Sequence, residues 1–271
     1  MRRKQVESLQ VDYHVHSDLS VDAHAGVEAM CRRAVEIGTT EIVFTEHYDT
    51  EPADDGYGFY SYEKSRDAVH RMRESFADRL SVKLGVEVDY QPVYEAHIAE
   101  FLDGKDYDFV LGARHWLDGA LIGHGYCEGK TEGKSYARYF ESVLPVVESR
   151  LFDVLAHIDL IKRHGTERYG PFNVEKWMKW IEPILRKLVE TGVGLEINTS
   201  GLRQAPCEPY PGVAVLERYR ELGGTIVTIG SDAHRVEDVG AGIRTGMELA
   251  RKAGFTAMTI FDRRKPVAVP L

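Results

Sequence analysis

Seven short apolar runs alternate with seven amphipathic stretches along this chain, and that alternation constrains the fold more than any other feature. The apolar runs lie at 9–14, 41–45, 82–88, 109–113, 152–156, 194–198 and 225–230. The stretches with helical spacing lie at 27–37, 62–79, 92–102, 135–148, 174–190, 213–222 and 240–253. Helices are predicted where apolar residues recur three and four apart, as in Trp177, Ile181, Ile184, Leu185 and Leu188. Gly38, Gly192 and Gly223 stand where helix C-caps are expected. Strand then helix, repeated about seven times, predicts a parallel sheet with right-handed crossovers. An open doubly wound sheet and a closed barrel both satisfy that order. No G-x-G-x-x-G or G-x-x-x-x-G-K-[ST] follows a strand, which removes the usual nucleotide signatures of the open form. The expectation is an α/β barrel of about seven strands, with functional residues at the C-terminal strand ends.

The 271 residues fit one large domain, 1–271, better than two small ones. A net charge of −9 argues against a general nucleic-acid binder, which shows a basic face. It does not exclude phosphate substrates, because a metal cluster places a large positive charge inside an acidic protein. Cys31, Cys127 and Cys207 are widely spaced, without C-x-x-C, so a reducing cytoplasm is expected rather than a disulfide framework or zinc ribbon. The basic start Met1-Arg2-Arg3-Lys4 is not followed by an apolar core, so neither a signal peptide nor a membrane span is expected.

The strand ends carry the chemistry. His14-Val15-His16 closes the first strand, and alternation puts both imidazoles on one face. Two histidines alone are weak evidence; the series that follows is not. Asp22 comes next, with two other readings: a cap for the helix at 27, or replacement as ligand by His24. Thr45-Glu46-His47 ends the second strand, His47 facing inward and Glu46 pointing away or supporting from behind. Glu87 lies inside the apolar third strand, where a buried carboxylate must be neutralised or ligated. Asp89 and Tyr90 follow it toward the mouth. His115 ends the fourth strand, His157 the fifth, and Asp232-Ala233-His234 repeats the same-face spacing after the seventh. Six histidines, two aspartates and one glutamate exceed what one metal with open positions needs, so two or three divalent ions are implied. Nitrogen and oxygen donors without thiolate suit Zn, Mn or Fe(II). His70, His97, His124 and His164 are not expected as ligands. Two irregular segments, 49–60 and 201–212, leave strand ends and are candidate substrate loops.

Taken together, His14-x-His16, Ser20-x-Asp22, Thr45-Glu46-His47, Glu87, His115, His157 and Ser231-Asp232-x-His234 resemble the motifs of the PHP (polymerase and histidinol phosphatase) family, in its order. The resemblance spans residues 11–234. It implies a distorted (β/α)₇ barrel of TIM-barrel type holding a trinuclear metal centre. His157-Ile158-Asp159-Leu160-Ile161-Lys162-Arg163 and the Glu196–Arg203 segment, followed by Tyr210-Pro211, look like the histidinol-phosphatase branch. That branch implies hydrolysis of L-histidinol phosphate to L-histidinol and phosphate, a step of histidine biosynthesis, by a hydroxide bridging two metals. It also implies that Arg163 and Arg203 contact phosphate, as a guanidinium presenting two donors can. Asp22, His47, Asp232 and His234 are the candidates to protonate the leaving alkoxide. Acidic residues of the 49–55 segment suit a cationic amino alcohol. Three alternatives stay open: a PHP phosphoesterase for another small phosphomonoester, nucleotide phosphate or phosphotyrosine protein; a non-catalytic metal-binding barrel; and an amidohydrolase. The last usually has a lysine ending its fourth of eight strands, where this chain has His115.

Overall fold

The computed structural model describes residues 10–271. The expected first residue of the first strand, Leu9, and the Met1–Lys4 segment lie outside the described residues. Seven parallel strands follow one another around a barrel: β1 (Val11–Val15), β2 (Glu41–Phe44), β3 (Ser81–Asp89), β4 (Phe109–Ala113), β5 (Val154–Leu155), β6 (Gly194–Asn198) and β7 (Val227–Gly230). The registers step around the ring, with Val11 opposite Glu41, Glu41 opposite Ser81, Gly85 opposite Phe109, Leu111 opposite Val154, Val154 opposite Gly194 and Leu195 opposite Val227. β1 and β2 to β7 are buried on both faces along most of their length, which is why they read as continuous apolar runs.

The ring closes between β7 and β1 through a side chain as much as through backbone. Val15 bridges Ala233, the Asp232 N–H donates to His14 O at 2.8 Å, and the His16 N–H donates to Ala233 O at 2.9 Å. Below them the buried Asp12 carboxylate accepts from Ser231 N (2.8 Å), Ser231 Oγ (2.5 Å) and Gly240 N (2.9 Å). Gly230 is required at this seam, because a Cβ there would stand 2.3 Å from His14 Cβ.

Among the described residues eight helices surround the strands: α1 (Val27–Glu36), α2 (Tyr62–Phe76), α3 (Glu95–Leu102), α4 (Glu132–Glu148), α5 (Lys162–Tyr169), α6 (Val174–Thr191), α7 (Val213–Glu221) and α8 (Ile243–Lys252). α6 shows how sequence makes them. The Asn173 side chain caps its start by accepting from Lys176 N at 3.2 Å, Trp177, Ile181, Ile184, Leu185 and Leu188 form its buried stripe, and Gly192 ends it at φ 75°. Gly38 and Gly223 also take positive φ after α1 and α7, as expected. α5 is an addition to the sequence reading: Lys-Arg-His-Gly-Thr-Glu-Arg-Tyr has no apolar stripe, and its buried positions are Lys162 and Gly165.

A C-terminal hairpin, Ala257–Asp262 with Lys265–Pro270, is a second addition. Its turn residues Arg263 and Arg264 both take positive φ, as a tight two-residue hairpin loop requires. The hairpin seals the N-terminal end of the barrel. Phe261 N donates to Tyr13 Oη at 2.8 Å, Val227 N donates to Thr259 Oγ1 at 3.2 Å, and Arg264 Nε holds Asp153 Oδ1 at 3.0 Å. Tyr13 packs edge to face on Phe109, and Phe261 packs on both at tilted angles. The opposite, C-terminal end is left for function. Among the described residues, no helix is long and apolar enough to cross a membrane.

Candidate metal centre and active site

Glu87 is the centre of the rim. It lies near the end of β3, 1% exposed, paired in register with His47 of the two-residue strand His47–Tyr48. Its Oε2 is 3.1 Å from His47 Nδ1, 3.2 Å from His14 Nε2 and 3.7 Å from His16 Nε2. Its Oε1 is 2.8 Å from His157 Nε2 and 3.4 Å from His115 Nε2. Asp232 Oδ1 stands 3.5 Å from His16 Nε2 and 3.7 Å from His14 Nε2. His234 Nε2 reaches Asp22 Oδ2 at 3.1 Å, and the same oxygen is 3.6 Å from His47 Nε2. All nine side chains expected as ligands therefore meet at one place. Asp22 does not cap α1, whose N-cap is Gly26, and His24 is exposed.

The donor atoms form four overlapping sets whose members lie within 4.8 Å of one another: His14, His16 and Asp232; Glu87, His115 and His157; His16, His47 and His234; and His47, Asp49 and His115. His14 Nε2, His16 Nε2, His47 Nδ1 and Glu87 Oε2 are buried and make no hydrogen bond among the described residues. Each buried polar atom left unpaired costs about 1–3 kcal/mol. A divalent cation removes that cost for several atoms at once by accepting their lone pairs, so the residues present fit the metals that the donor chemistry suggests. The charges point the same way. Burial opposes the charged form of His14, yet Glu196, Glu87 and Asp232 push its pKa well above the usual histidine value. Burial and the neighbouring His47 and His234 push His16 well below it. Burial would raise the Glu87 carboxyl, but the imidazoles of His14 and His115 hold it well below the usual range. Adjacent groups competing for protons in this way are well served by cations instead.

Behind the donors stands a layer of orienting groups. Glu196 Oε1 lies 2.6 Å from His14 Nδ1, while its Oε2 accepts from His157 N at 2.9 Å and Asn198 Nδ2 at 3.2 Å. Asn198 Nδ2 and Ser200 Oγ donate to Asp232 Oδ2 at 3.2 and 3.1 Å. Glu46 binds Ser17 N (3.0 Å), Ser17 Oγ and Ser20 Oγ, fixing the turn that carries Asp22 past the rim. Asp89 Oδ1 accepts from His115 N at 2.8 Å. Tyr90 is buried, its hydroxyl donating to Glu95 at 2.5 Å.

A cavity of about 770 Å³ opens over this centre. Arg163 is the one arginine or lysine in its described lining, and Asp49, Asp54 and Asp55 line it too. Trp116 Nε1 donates to Asp54. Asp49, 9% exposed, was expected among the acidic residues of the 49–55 segment and not as a metal donor; burial raises its carboxyl to about 6 against the opposing pull of His47 and His115.

The PHP domain family model matches residues 12–200, about 70% of the chain. The chain belongs to the PHP domain family. A relative named probable histidinol-phosphatase, from Thermotoga maritima, is 31% identical over 263 residues, 96% of this chain and 99% of that one. The histidinol-phosphatase of Lactococcus lactis subsp. lactis is 27% identical over 94% of this chain and 96% of its own length. The fold is also similar to a crystal structure of histidinol phosphate phosphatase from Lactococcus lactis complexed with zinc, L-histidinol and phosphate. That match has a TM-score of 0.86 and 26% identity, and covers 95% of this chain and 98% of the other.

In this PHP domain the two arginines expected to contact phosphate have different partners. Arg163 lines the cavity, its Nε donating to Gln204 Oε1 at 2.9 Å. Arg203 is absent from the cavity lining. Its Nη2 donates to Ser231 O at 2.9 Å and its Nε pairs with Asp238 Oδ1 at 3.2 Å. There it braces the turn that holds Asp232 at φ 54°, a conformation that costs a non-glycine residue roughly 1 kcal/mol or more.

Proposed function

We propose that this protein is a metal-dependent phosphomonoesterase that hydrolyses L-histidinol phosphate to L-histidinol and phosphate. The observation that carries the reading is a single arginine in a cavity otherwise rich in carboxylates, placed over a cluster of histidine and carboxylate donors suited to metal. A phosphate monoester with a cationic tail matches that wall: phosphate toward Arg163 and the centre, amine and imidazole toward Asp49, Asp54 and Asp55. The named relatives and the zinc, histidinol and phosphate of the Lactococcus structure support the same substrate.

His14, His16, Asp22, His47, Glu87, His115, His157, Asp232 and His234 would hold two or three divalent ions, of zinc, manganese or iron. Bound there, such ions supply Lewis acidity and lower the pKa of water from about 16 toward neutrality. The chain's own residues do the rest. Arg163 binds the phosphoryl oxygens and offsets the charge that develops on them. Glu196 keeps the His14 proton on Nδ1. Of the four candidate proton donors, His47 and Asp232 are enclosed, whereas Asp22 is 52% exposed and His234 26%. Exposure favours Asp22 or His234 as the group that protonates the leaving alkoxide, and the atom that delivers the proton is not one that holds a metal in the same step.

The described residues share one buried core, which supports treating 1–271 as a single domain. Three unpaired cysteines support a reducing, cytoplasmic setting, and the acidic net charge speaks against nucleic acid as a partner. The test is phosphate release by purified protein loaded with zinc or manganese. L-Histidinol phosphate should outrun aryl phosphates, nucleoside monophosphates and phosphotyrosine peptides in kcat/KM, and His14→Asn should abolish turnover. Equal or faster release from any of the other esters would replace the substrate assignment, and full activity of His14→Asn would end the metal-dependent reading.

A further inference from the structure

Lys162 opens α5 with a side chain that is fully buried. A buried ammonium must be paired, and this one is paired with two different loops. Its Nζ lies 2.8 Å from Asp159 Oδ2 in the segment after β5. It also donates to Glu208 Oε1 at 2.8 Å and to Pro209 O at 3.1 Å, both in the segment after β6. The rings of Phe172 and Tyr210 flank it at 5.5 and 5.3 Å. One cation therefore ties two loops that leave neighbouring strands.

The tied segment reaches the cavity. Tyr210 exchanges both backbone hydrogen bonds with Asn198, each 2.8 Å, so its ring is anchored to the end of β6. Its hydroxyl donates to Gln204 Oε1 at 2.7 Å, and the same oxygen accepts from Arg163 Nε at 2.9 Å. Gln204 thus stands between an anchored tyrosine and the cavity's arginine. Arg163 Nη1 lies over Gly123 on the cavity wall, 3.7 Å from where a Cβ would stand there. A long guanidinium samples many rotamers, and fixing it before substrate arrives removes that ordering cost from binding.

We propose that Lys162 is a positioning residue for phosphate binding: through Glu208, Pro209 and Tyr210 it sets Gln204, and Gln204 aims the Arg163 guanidinium into the cavity. The inference rests on the reading of Arg163 as the phosphate contact. An apolar residue would fill the same space with less desolvation, but it would leave Glu208 and the Pro209 carbonyl unheld.

The test uses the full-length, zinc-loaded protein with Lys162→Met, Gln204→Leu, Arg163→Ala and the two double variants that combine each of the first two with Arg163→Ala. The readouts are kcat and KM for L-histidinol phosphate, the inhibition constant of inorganic phosphate, and bound metal. Lys162→Met and Gln204→Leu should each weaken phosphate inhibition and lower kcat/KM by about tenfold or more with metal content unchanged. Neither should cost anything further once Arg163 is alanine. Losses that multiply in the Arg163→Ala background would overturn the inference, as would parental phosphate inhibition in Gln204→Leu. Should Lys162→Met fail to give a native melting transition, Gln204→Leu, on a partly exposed loop, decides alone. Unchanged phosphate inhibition in Arg163→Ala itself would instead remove the phosphate reading of that arginine, a different failure with a different signature.

Discussion

Replacing Glu196 by glutamine changes one atom's chemistry and almost no volume, yet the structure predicts a large loss of metal affinity. The carboxylate accepts from three donors: His14 Nδ1, His157 N and Asn198 Nδ2. An amide has one accepting oxygen, so at least one of the three must then meet an N–H₂ group. If that group faces His14, the imidazole turns to the tautomer with its proton on Nε2. That nitrogen lies 3.2 Å from Glu87 Oε2 and 3.7 Å from Asp232 Oδ1, where a cation needs a lone pair. If it faces His157 instead, a buried backbone N–H loses its acceptor. Hydrogen bonds to charged groups are worth about 1.5–3 kcal/mol, and about 1.4 kcal/mol is a factor of ten, so the cost is roughly 10- to 100-fold in affinity. The assay is metal retained after dialysis against graded dipicolinate, read by mass spectrometry beside phosphate release. Parental metal retention in a natively folded Glu196→Gln would refute the tautomer argument.

Removing the metals should do more than stop turnover: with Glu87 Oε2 and the nearby nitrogens of His14, His16 and His47 left buried without hydrogen bonds, chelation is expected to lower the melting temperature by several degrees, and zinc or manganese should restore it, as calorimetry would show. Gly230→Ala places a methyl group 2.3 Å from His14 Cβ and 2.9 Å from Glu196 Oε1. It should destabilise by about 1–3 kcal/mol and impair metal binding, so an unchanged urea midpoint would contradict the tight seam. Far from the site, burial raises the Asp153 carboxyl to about 6, although Arg264 and the Val110 N–H oppose the rise. Folded Asp153 holds its proton more tightly than unfolded Asp153 does. Its contribution is therefore fully present below pH about 4 and is lost as pH rises through about 6, by an order of 2–3 kcal/mol. Asp153→Asn should flatten the fall in urea midpoint between pH 4.5 and 7, and an unaltered slope would place the titration elsewhere.

The barrel was legible in sequence because its strands are buried on both faces and its helices carry an apolar stripe. β4 and β6 occupy the expected residues 109–113 and 194–198, and the third strand needed only one residue more at each end. The fifth is shorter than its apolar run: Val154–Leu155 alone pairs on both sides, with Asp153 N and Ala156 N adding single bonds to β4. Where packing relies on something other than an apolar period, the reading fell short. α5 buries a lysine and a glycine rather than a stripe. The last strand, Lys265–Pro270, is mostly exposed and carries two prolines, so nothing in it resembles a buried strand.

The same distinction divides the site. Ligand types at strand ends repeat in a way that strand order makes readable, and His14, His16, Asp22, His47, Glu87, His115, His157, Asp232 and His234 indeed converge. The groups that orient them follow no period. Glu196 meets His14 across 182 positions, and Asp12 meets Ser231 across 219, because the ring brings its last strands back to its first. Arg163 and Arg203 are chemically alike and both follow strand ends. Arg163, at the start of a helix, lines the cavity and bonds Gln204, whereas Arg203 bonds the Ser231 carbonyl and Asp238. What a guanidinium does here is decided by which acceptors lie within its reach, and that is a property of the closed barrel rather than of the local sequence.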